Sequence, residues 1–541
     1  MKRLILLSFT LLATMMSWAE TTDPADFVVK LKDGTTLRFL GESTEMSFDA
    51  EGAVLFISNP QLNFAASYAV EGIESIDFLE PNEPAGGGSL DGPYFDVTID
   101  PTDDTSYTEV SEEVITDASH ADYGDFIENY TPTNRVTITY DGDKATVSGT
   151  VSGVKSKVTG AHVVINSSKK NIAYTLKGTT TNGSFKLYSN YKTQVTMDGA
   201  DITNPTGAAI NIQSGKTIMV ELADGTTNKL ADGTTYTMTT GEDQKGTFFS
   251  EGQLIFSGNG SLAVQSVGGH GIVSDDYVRM RNGNITVNSV RDGINTNDCF
   301  IMYGGTVNVT AQQDGLDIGK GYVEIGGGKL IVNAIDEGIT ASYEGDDAGN
   351  IDPLITPYID IKGGLIKITT TGEKGHAVRA MSSLNMTGGI VQTTAKGAGA
   401  KAVMSEGNMS LTGGKLTAFT EGNALYKADT QELSSATAIR SKGTLKMENM
   451  IVGLKSTGTG GKGINNIGNV TLKNSTVTVV ASGANHKHNA LDSRSHGIET
   501  DGSLTLDGSS LHVRSYGETL LVGTALTFMN SATYAGYQVD K

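Results

Sequence analysis

Acidic side chains recur around a repeated Gly-Ile or Gly-Leu pair in the middle of the chain. The residues that directly precede the glycine are His270, Asp292, Asp314 and Glu337. If the repeats stack as coils about 4.8 Å apart, Asp292 and Asp314 become neighbours. Two such charges repel by about 3.5 kcal/mol at an effective dielectric of 20, and a bound divalent cation would reverse the sign of this energy. The pattern therefore favours a metal site.

Calcium is the cation that these ligands would select, because it binds six to eight oxygens from Asp, Asn and backbone carbonyls. Nitrogen and sulfur ligands are few nearby, which disfavours softer metals. The alternative is that the acids cap turns by accepting backbone N–H groups, an ordinary use of Asp before Gly. The candidate calcium ligands are Asp292, Asp298, Asp314, Asp317, Asp275, Asp276, Asp336 and Glu337.

A column of tyrosines is the candidate sugar-binding surface. The only tryptophan is Trp18, in the apolar N-terminal segment, so tyrosine must supply any aromatic platform for a sugar ring. Matched positions in successive repeats hold Tyr277, Cys299, Tyr322 and Tyr358. The alternative is that Tyr322 and Tyr358 pack beneath an insertion at residues 346–357. We expect Cys299 to be inert and partly covered.

Three arginines, Arg279, Arg281 and Arg291, lie close to the acids in sequence. They could bind the carboxylates of uronic acids, or one of them could act as the base of a β-elimination. The third possibility is that they are solvated partners of Asp276 and Asp292. We include all three arginines among the candidate carbohydrate-binding residues.

The histidines His486, His488 and His496 form a looser group near the C-terminal end. A structural zinc site would require a fourth ligand and a closed geometry, so a surface loop is the simpler interpretation. The sequence contains no nucleophile elbow, phosphate-binding loop or HExxH pattern, and it therefore offers no familiar catalytic motif.

The elements that position these residues follow from a repeat of turn dipeptides. The second residues of these dipeptides are 22, 23, 36, 25 and 25 positions apart, and the long interval marks an insertion. The dipeptides are Asn282-Gly283, Gly304-Gly305, Gly327-Gly328, Gly363-Gly364, Gly388-Gly389 and Gly413-Gly414. Residues three and five before, and two and four after, each second glycine are apolar except Thr393. This alternation predicts two short strands around each turn, and the Gly-Ile segment predicts a third.

Three strands in roughly 22–25 residues form one coil of a parallel β-helix. One coil cannot bury its own apolar face, so the coils must stack and align their interior residues in columns. We therefore predict an all-β chain: a right-handed parallel β-helix of about ten coils, preceded by a small separate β domain. The predicted units are a signal peptide at 1–19, a β domain at 26–80, a linker at 81–95, the β-helix at 96–515 and a C-terminal cap at 516–541. Residues 96–134 are a second candidate cap, and 346–357 and 427–435 are expected to be loops.

Segments such as Gly269-His270-Gly271-Ile272-Val273-Ser274-Asp275-Asp276, Asp292-Gly293-Ile294-Asn295-Thr296-Asn297-Asp298 and Gly304-Gly305-Thr306-Val307-Asn308-Val309 carry a resemblance. Residues 95–515 resemble a bacterial family of secreted carbohydrate-binding β-helix proteins, of which a clostridial cellulose- and pectin-binding member is typical. The resemblance implies a calcium-dependent fold similar to that of polysaccharide lyases, and it implies glycan binding. It assigns no ligand to an individual residue.

The N-terminus predicts export. Lys2 and Arg3 precede an apolar run, and Ser17-Trp18-Ala19 is typical of a cleavage site, so we expect a signal peptide that is removed after Ala19. The net charge of −21 would become −23 once Lys2 and Arg3 are lost, which disfavours nucleic acid as a partner. No later stretch is long and apolar enough for a membrane span. We expect a monomer that is secreted or held at the cell surface, with the periplasm as an alternative.

The sequence favours a secreted, non-catalytic protein that binds extracellular polysaccharide, pectin-like or cellulosic, with calcium. A flat repeating face suits an extended glycan, since many weak contacts add up along it. Two alternatives stay open: a calcium-dependent polysaccharide lyase, and a surface adhesin without glycan specificity.

Overall fold

The computed structural model describes residues 27–32, 36–39, 44–48, 52, 54–59, 64–78, 97–99, 103, 112–345, 348–530 and 532–538. The predicted signal peptide at 1–19 and the linker at 81–95 lie outside these residues. Nearly all regular structure is β, as predicted, and most strands belong to two large parallel sheets of 15 and 28 strands. No helix in the described part of the chain has the length and apolarity that crossing a membrane would require.

The N-terminal β region consists of two small antiparallel sheets. Their strands are Phe27–Leu31, Thr36–Phe39 and Ile73–Phe78 in one sheet, and Glu45–Phe48, Val54–Asn59 and Phe64–Ala69 in the other. The first two strands pair antiparallel, with Lys30 opposite Thr36. Two of these strands, at 36–39 and 64–69, lie beside the final coil of the stack.

The first face of the stack is built from the Gly-Ile strands. Its fifteen strands include fourteen parallel ones and the antiparallel Val154–Thr159. The parallel strands are Ala161–Ser167, Gly183–Ser189, Ile210–Ile212, Gly246–Ser250, His270–Ser274, Ile294–Thr296, Leu316–Ile318, Ile339–Ala341, Val378–Ala380, Lys401–Ser405, Thr437–Ser441, Lys462–Asn466, Ile498–Thr500 and Leu520–Val522.

The second and third faces are the two strands around each glycine turn. The second face contains Ile218–Leu222, Leu254–Gly258, Val278–Met280, Cys299–Met302, Tyr322–Ile325, Tyr358–Ile361, Ser383–Met386, Asn408–Leu411, Leu445–Glu448, Val470–Lys473, Leu504–Asp507 and Leu526–Met529. The third face contains Thr227–Ala231, Ser261–Gln265, Asn284–Ser289, Thr306–Ala311, Lys329–Ala334, Leu365–Thr370, Ile390–Ala395, Lys415–Thr420, Ile451–Ser456, Thr476–Ala481, Ser510–Ser515 and Thr533–Gln538. Each strand pairs in parallel with its equivalent one coil away.

The first coils are built from longer strands that run through both the second and the third face. These are Asn134–Asp141, Ile172–Thr180 and Thr193–Thr203, and Lys144–Ser148 closes that end antiparallel to the first of them. Two hairpins project from the stack, Leu425–Lys427 with Glu432–Ser434, and His486–His488 with Leu491–Ser493. Short 3-10 helices occur at Val70–Gly72, Ala121–Asp125 and Ile127–Asn129.

The number of coils exceeds the predicted ten, because the first face alone has fourteen parallel strands among the described residues. The first coils were not all recognised in the sequence, because their strands continue through the position at which later coils have a glycine turn. The predicted cap at 516–541 supplies strands to all three faces and is the last coil. The described residues at 97–99, 103 and 112–130 contact strands along the side of the stack.

The predicted interior columns are confirmed. All twelve residues before the glycine turns, from Val278 to Leu411, are buried, and so are the twelve after them, including Thr393. Aligned pairs such as Val278 with Phe300 show that the register is the one that the glycine spacing implied. Burying a side chain of this size contributes about 1.5–3 kcal/mol, so the columns are the main stabilising feature of the stack.

The glycine of each Gly-Ile pair is explained by the third face of the same coil. A Cβ on Gly315 would lie 2.1 Å from Val332 Cγ1 and 2.5 Å from the carbonyl oxygen of Gly338. Gly293 has the same relation to Val309. In the two coils whose third face carries Thr393 and Ala418 at the matched position, the chain has Ala377 and Ala402 instead of glycine.

We expect Gly315→Ala to destabilise the stack by about 1–3 kcal/mol, the usual cost of overpacking a filled core. Gly215→Ala is the matched control, because a Cβ there meets nothing within 4 Å, and its effect should stay within about 0.5 kcal/mol. Urea unfolding followed by circular dichroism measures both variants. Equal stability of the two variants would contradict the steric explanation.

Candidate functional site

Two columns of polar residues run side by side along the first face. The edge column is formed by the residues two positions before Ile272, Ile294, Leu316, Ile339, Val378 and Val403: His270, Asp292, Asp314, Glu337, His376 and Lys401. The outward column is formed by the residues in the middle of each strand: Asn295, Asp317, Thr340, Arg379, Met404 and Arg440. Parallel in-register pairing aligns each column, and both change from acidic to basic near Glu337.

The acidic half surrounds a cavity of about 710 Å³, which we call the acidic pocket. Its lining includes Asp314, Asp317, Glu337, Arg379 and the buried Tyr343. Carboxylate oxygens of Asp314, Asp336 and Glu337 all lie within 4.8 Å of one another. Asp336 is exposed, whereas Asp314 and Glu337 are half-buried. The pocket is thus a partly buried concentration of negative charge.

Hydrogen bonds hold the edge column in place. Asp292 Oδ1 accepts from the backbone N–H of Asp314 at 3.1 Å, and Asp314 Oδ1 accepts from that of Glu337 at 2.8 Å. Asn295 Nδ2 donates to Asp292 at 3.1 Å and to Asp317 at 2.9 Å, and His270 Nδ1 lies 2.9 Å from Asp292. The acids therefore do support turns as the alternative reading expected. Asp314 uses only Oδ1 for its backbone contact, whereas both oxygens of Asp292 are already engaged.

Carboxylates of the acidic pocket have raised pKa values. Burial, followed by the nearby Asp292, raises the pKa of Asp317 to about 6. Burial and neighbouring carboxylates likewise raise the pKa of Asp314, and burial raises that of Glu337. Cations also line the pocket: Arg379, whose NH1 lies 3.9 Å from Glu337, and Lys245 and Lys320. Ionising these carboxylates together is costly unless a further cation joins them.

The residues of the acidic pocket fit calcium. The donors are oxygens only, from Asp314, Asp336 and Glu337. Asp317 and Asp292 lie beside them, and the Asn295 side chain donates a hydrogen bond to each. Hard divalent cations prefer such a set, and a flexible coordination number tolerates a site made from adjacent coils. The raised pKa values are the expected sign of a carboxylate cluster that is stabilised when a cation is bound.

The other three predicted ligands do not join this cluster. Asp275, Asp276 and Asp298 follow their first-face strands, whereas the edge column precedes them. Asp275 forms a salt bridge with Lys245 at 2.8 Å, Asp276 accepts from Gln253, and Asp298 is exposed. These acids are close to the others in sequence because each strand is only three to five residues long. They lie at the opposite ends of the strands, however, and are therefore separated from the edge column in space.

The predicted tyrosine and arginine residues lie on the second face, where residues 112–130, here called the strap, cover part of them. The Tyr277 hydroxyl donates to both oxygens of Asp125, at 2.7 and 2.8 Å. Arg279 pairs with Glu112 and with Asp125, the latter at 3.3 Å. These partners replace Asp276 and Asp292, the partners that the sequence suggested, because a segment distant in sequence brings its own acids to this face.

Arg281 also belongs to the strap contact, with Nε 3.1 Å from Glu112 and NH1 2.6 Å from Glu128. The fully buried Phe126 ring lies under it, 4.1 Å from the guanidinium carbon. Such desolvated charge and cation–π contacts are typical of a permanent internal interface. Tyr277, Arg279 and Arg281 are therefore engaged within the molecule.

The remaining predicted residues are more open. Tyr322 and Tyr358 are half-buried and stack on each other, with ring centroids 5.1 Å apart and planes 6° apart. Arg291 is exposed in the loop before Asp292. Cys299 is buried, as expected, and burial raises its pKa to about 12. This thiol is therefore not poised as a nucleophile.

The three C-terminal histidines do not converge on a common site. His486 contacts Thr459 at 2.9 Å, and His488 stacks on Tyr426 with centroids 4.0 Å apart. His496 is buried in the first face, with Nδ1 3.0 Å from Glu518. Different partners hold each ring: His486 and His488 lie in a projecting hairpin, whereas His496 is buried and not in the expected surface loop.

Sequence reasoning missed the basic continuation of both columns. His376 and Lys401 continue the edge column, and Arg379 and Arg440 continue the outward column. The available signal was the spacing of 25 residues between the later glycine pairs, which aligns His376 with Lys401. It was overlooked because alanine replaces the glycine that marks the earlier strands.

Three comparisons relate this chain to known proteins. No curated protein matches it. A solved structure of a polysaccharide lyase-like protein from C. thermocellum matches with 25% identity and a TM-score of 0.39, covering 52% of this chain and 99% of that one. Residues 159–398, which contain the whole acidic pocket, match the model of a family described as carbohydrate-binding domain-containing protein.

Proposed function

We propose that this protein is an exported, non-catalytic carbohydrate-binding protein that holds extracellular polysaccharide on its first face with the help of calcium. The observation that carries the proposal is the acidic pocket, a cluster of partly buried carboxylates inside the segment that matches a carbohydrate-binding family. A calcium ion there would both neutralise the carboxylates and offer free coordination positions to sugar hydroxyls or carboxylates.

The shape of the first face supports this function. Its columns repeat at about 4.8 Å along the stack, so a long glycan could make the same kind of contact on coil after coil. The second-face arginines that the sequence suggested are paired within the molecule, and this favours the first face.

The proposal includes a right-handed β-helix. The supporting argument is that crossover connections between parallel strands of one sheet are right-handed in about 98% of cases. The long columns of Val, Ile and Leu are consistent with either hand, so handedness rests on the chirality of the connections.

The direct experiment is retention of the secreted chain on insoluble cellulose and its retardation in gels that contain soluble pectin, with added calcium and with chelator. We expect retention on at least one glycan with calcium, a loss of at least about tenfold with chelator, and recovery with calcium but not with magnesium, which demands a smaller octahedral site. Absence of retention on every glycan tested with calcium would contradict the proposal and favour a surface adhesin.

A further inference from the structure

A second cavity, of about 510 Å³, adjoins the acidic pocket on the first face. Glu337 and Arg379 line both cavities. We call the second one the basic pocket, because its cationic lining is Lys374, Arg379, Lys401, Lys427, Arg440 and Lys442. The acids in the lining, Glu337, Glu406 and Glu432, are fewer than the cations. The first face therefore presents two adjacent cavities of opposite charge.

Lys401 is the most enclosed cation of the basic pocket. The residue is only 8% exposed, and its Nζ donates to the Gly399 carbonyl at 2.6 Å and to Ser434 Oγ at 2.7 Å. Neither acceptor is charged, and among the described residues Lys401 forms no salt bridge. Burial, followed by repulsion from Lys427, lowers its pKa to about 7. A buried ammonium without a counter-charge costs free energy that a bound anion would recover.

Arg440 also lacks a carboxylate within salt-bridge distance among the described residues. Its NH1 donates to the Asn465 side-chain and backbone oxygens, the latter at 3.4 Å, and within the described part of the chain it has no carboxylate partner. By contrast, Lys442 pairs with Glu406. His376 accepts the backbone N–H of Lys401 through Nδ1 at 3.0 Å, which keeps that nitrogen unprotonated. Lys401 and Arg440 are thus partly or largely buried cations of the basic pocket that, among the described residues, have no carboxylate within salt-bridge distance.

The coil register places these cations at the spacing of a sugar ligand. Arg379 and Arg440 belong to the outward column with Met404 between them, so their backbones are two coils, or about 10 Å, apart. Lys401 lies in the edge column one coil on from His376. A guanidinium binds the two oxygens of a carboxylate or sulfate in a fork, and an ammonium adds a point charge.

We propose that the basic pocket binds an anionic substituent of a polysaccharide, a uronate carboxylate or a sulfate ester, through Lys401 and Arg440. Arg379 lines both the acidic and the basic pocket, so it can contact a sugar chain that occupies either of them. This inference rests on the proposed function, since it names the class of glycan that the first face selects. It requires that an acidic glycan binds more tightly than a neutral one of equal length.

The test is calorimetric titration of the full mature chain, at saturating calcium, with three oligosaccharides of equal length: a galacturonate oligomer, a sulfated galactan oligomer and a cello-oligomer. We expect at least one anionic oligomer to bind about tenfold or more tightly than the neutral one, and the preferred oligomer identifies the substituent. Lys401→Gln and Arg440→Gln should each reduce this preference by about tenfold while leaving the affinity for calcium unchanged.

Lys229→Gln is the matched control, since Lys229 is an exposed cation of the third face that pairs with Asp201 at 3.7 Å. If Lys401→Gln fails to fold because Lys401 is buried, Arg440→Gln still tests the inference. Lys401→Arg should keep the preference for the anionic oligomer because it keeps the charge. Equal affinity for the neutral and anionic oligomers, or a preference that survives both Gln substitutions, would overturn the inference while leaving the proposed function intact. Failure of all three oligomers to bind would overturn both.

Discussion

Replacing Asp314 with Asn should weaken calcium binding by at least about tenfold, since loss of even an outer partner of a metal ligand usually costs 10–100-fold. The substitution removes a charge from the acidic pocket but keeps an oxygen that can accept the Glu337 N–H now bound at 2.8 Å. The fold of the edge column should therefore survive. Isothermal titration with calcium in metal-free buffer measures the change.

Asp276→Asn is the matched control for this prediction. Asp276 belongs to the same sequence pattern, but it follows its strand and accepts a hydrogen bond from Gln253. We expect its replacement to leave calcium affinity within about twofold of the starting value. An equal loss in both variants would show that calcium binding does not depend on the acidic pocket.

The same pocket should make the stability of the chelated protein depend on pH. The pKa of Asp317 is raised to about 6, and those of Asp314 and Glu337 are also raised, by burial and by neighbouring carboxylates. Between the unfolded pKa, near 4, and the raised folded pKa, the folded chain binds more protons than the unfolded chain, so stability falls as pH rises. Calcium should remove this fall. Melting curves from pH 4 to 8 with and without calcium test the sign, and a stability that rises with pH in chelator would contradict the assignment.

Replacing Arg279 with Ala should destabilise the contact between the strap and the second face by about 3–5 kcal/mol, the usual cost of leaving one member of a buried ion pair alone. The Arg279 side chain is 4% exposed, and those of Glu112 and Asp125 are each 9% exposed, so Asp125 would stay buried without its salt-bridge partner and Glu112 would keep only Arg281. We expect the rate of protease cleavage within residues 112–130 to rise by about 100-fold or more, since each 1.4 kcal/mol corresponds to about a tenfold change in the population of the open state. Limited proteolysis followed by mass spectrometry locates the cuts.

Arg291→Ala serves as the comparison, because this arginine is exposed and forms no salt bridge among the described residues. Its replacement should leave the cleavage rate within about twofold. Calcium affinity should be the same in both variants, since the strap lies on the second face and the acidic pocket on the first. Unchanged proteolysis in the Arg279 variant would mean that the strap is held mainly by other contacts, such as the buried Phe126.

The strap also changes how the second face should be interpreted. Earlier points of the same segment lie on later coils: Val97 lies against Gly453, and Asp103 accepts from Gln392 at 2.7 Å. Tyr130 reaches the early coils, where its hydroxyl lies 3.1 Å from the Ile172 carbonyl. The described residues between 97 and 130 therefore contact coils from the one that holds Ile172 to the one that holds Gly453.

Local pattern alone was enough to predict the strands, their register and the residues that face the interior. Period-two alternation assigns inside and outside within a strand, and a repeat of about 25 residues assigns the strand that will lie next to it. For this reason the alignment of Asp292, Asp314 and Glu337 could be deduced without coordinates. The separation of Asp276 and Asp298 from that group could not, because it depends on which end of a short strand meets the pocket.

The amino-acid sequence by itself determined the all-β parallel stack, its buried columns and the row of carboxylates on one face, since each follows from contacts between neighbouring repeats. Only the tertiary structure decided which face is open. Arg279 pairs with Glu112, which is 167 positions away in sequence, and Lys401 donates a hydrogen bond to Ser434 in a projecting hairpin. No repeat period encodes such contacts, because they join segments that share no register, and burial of their charges depends on packing between whole elements.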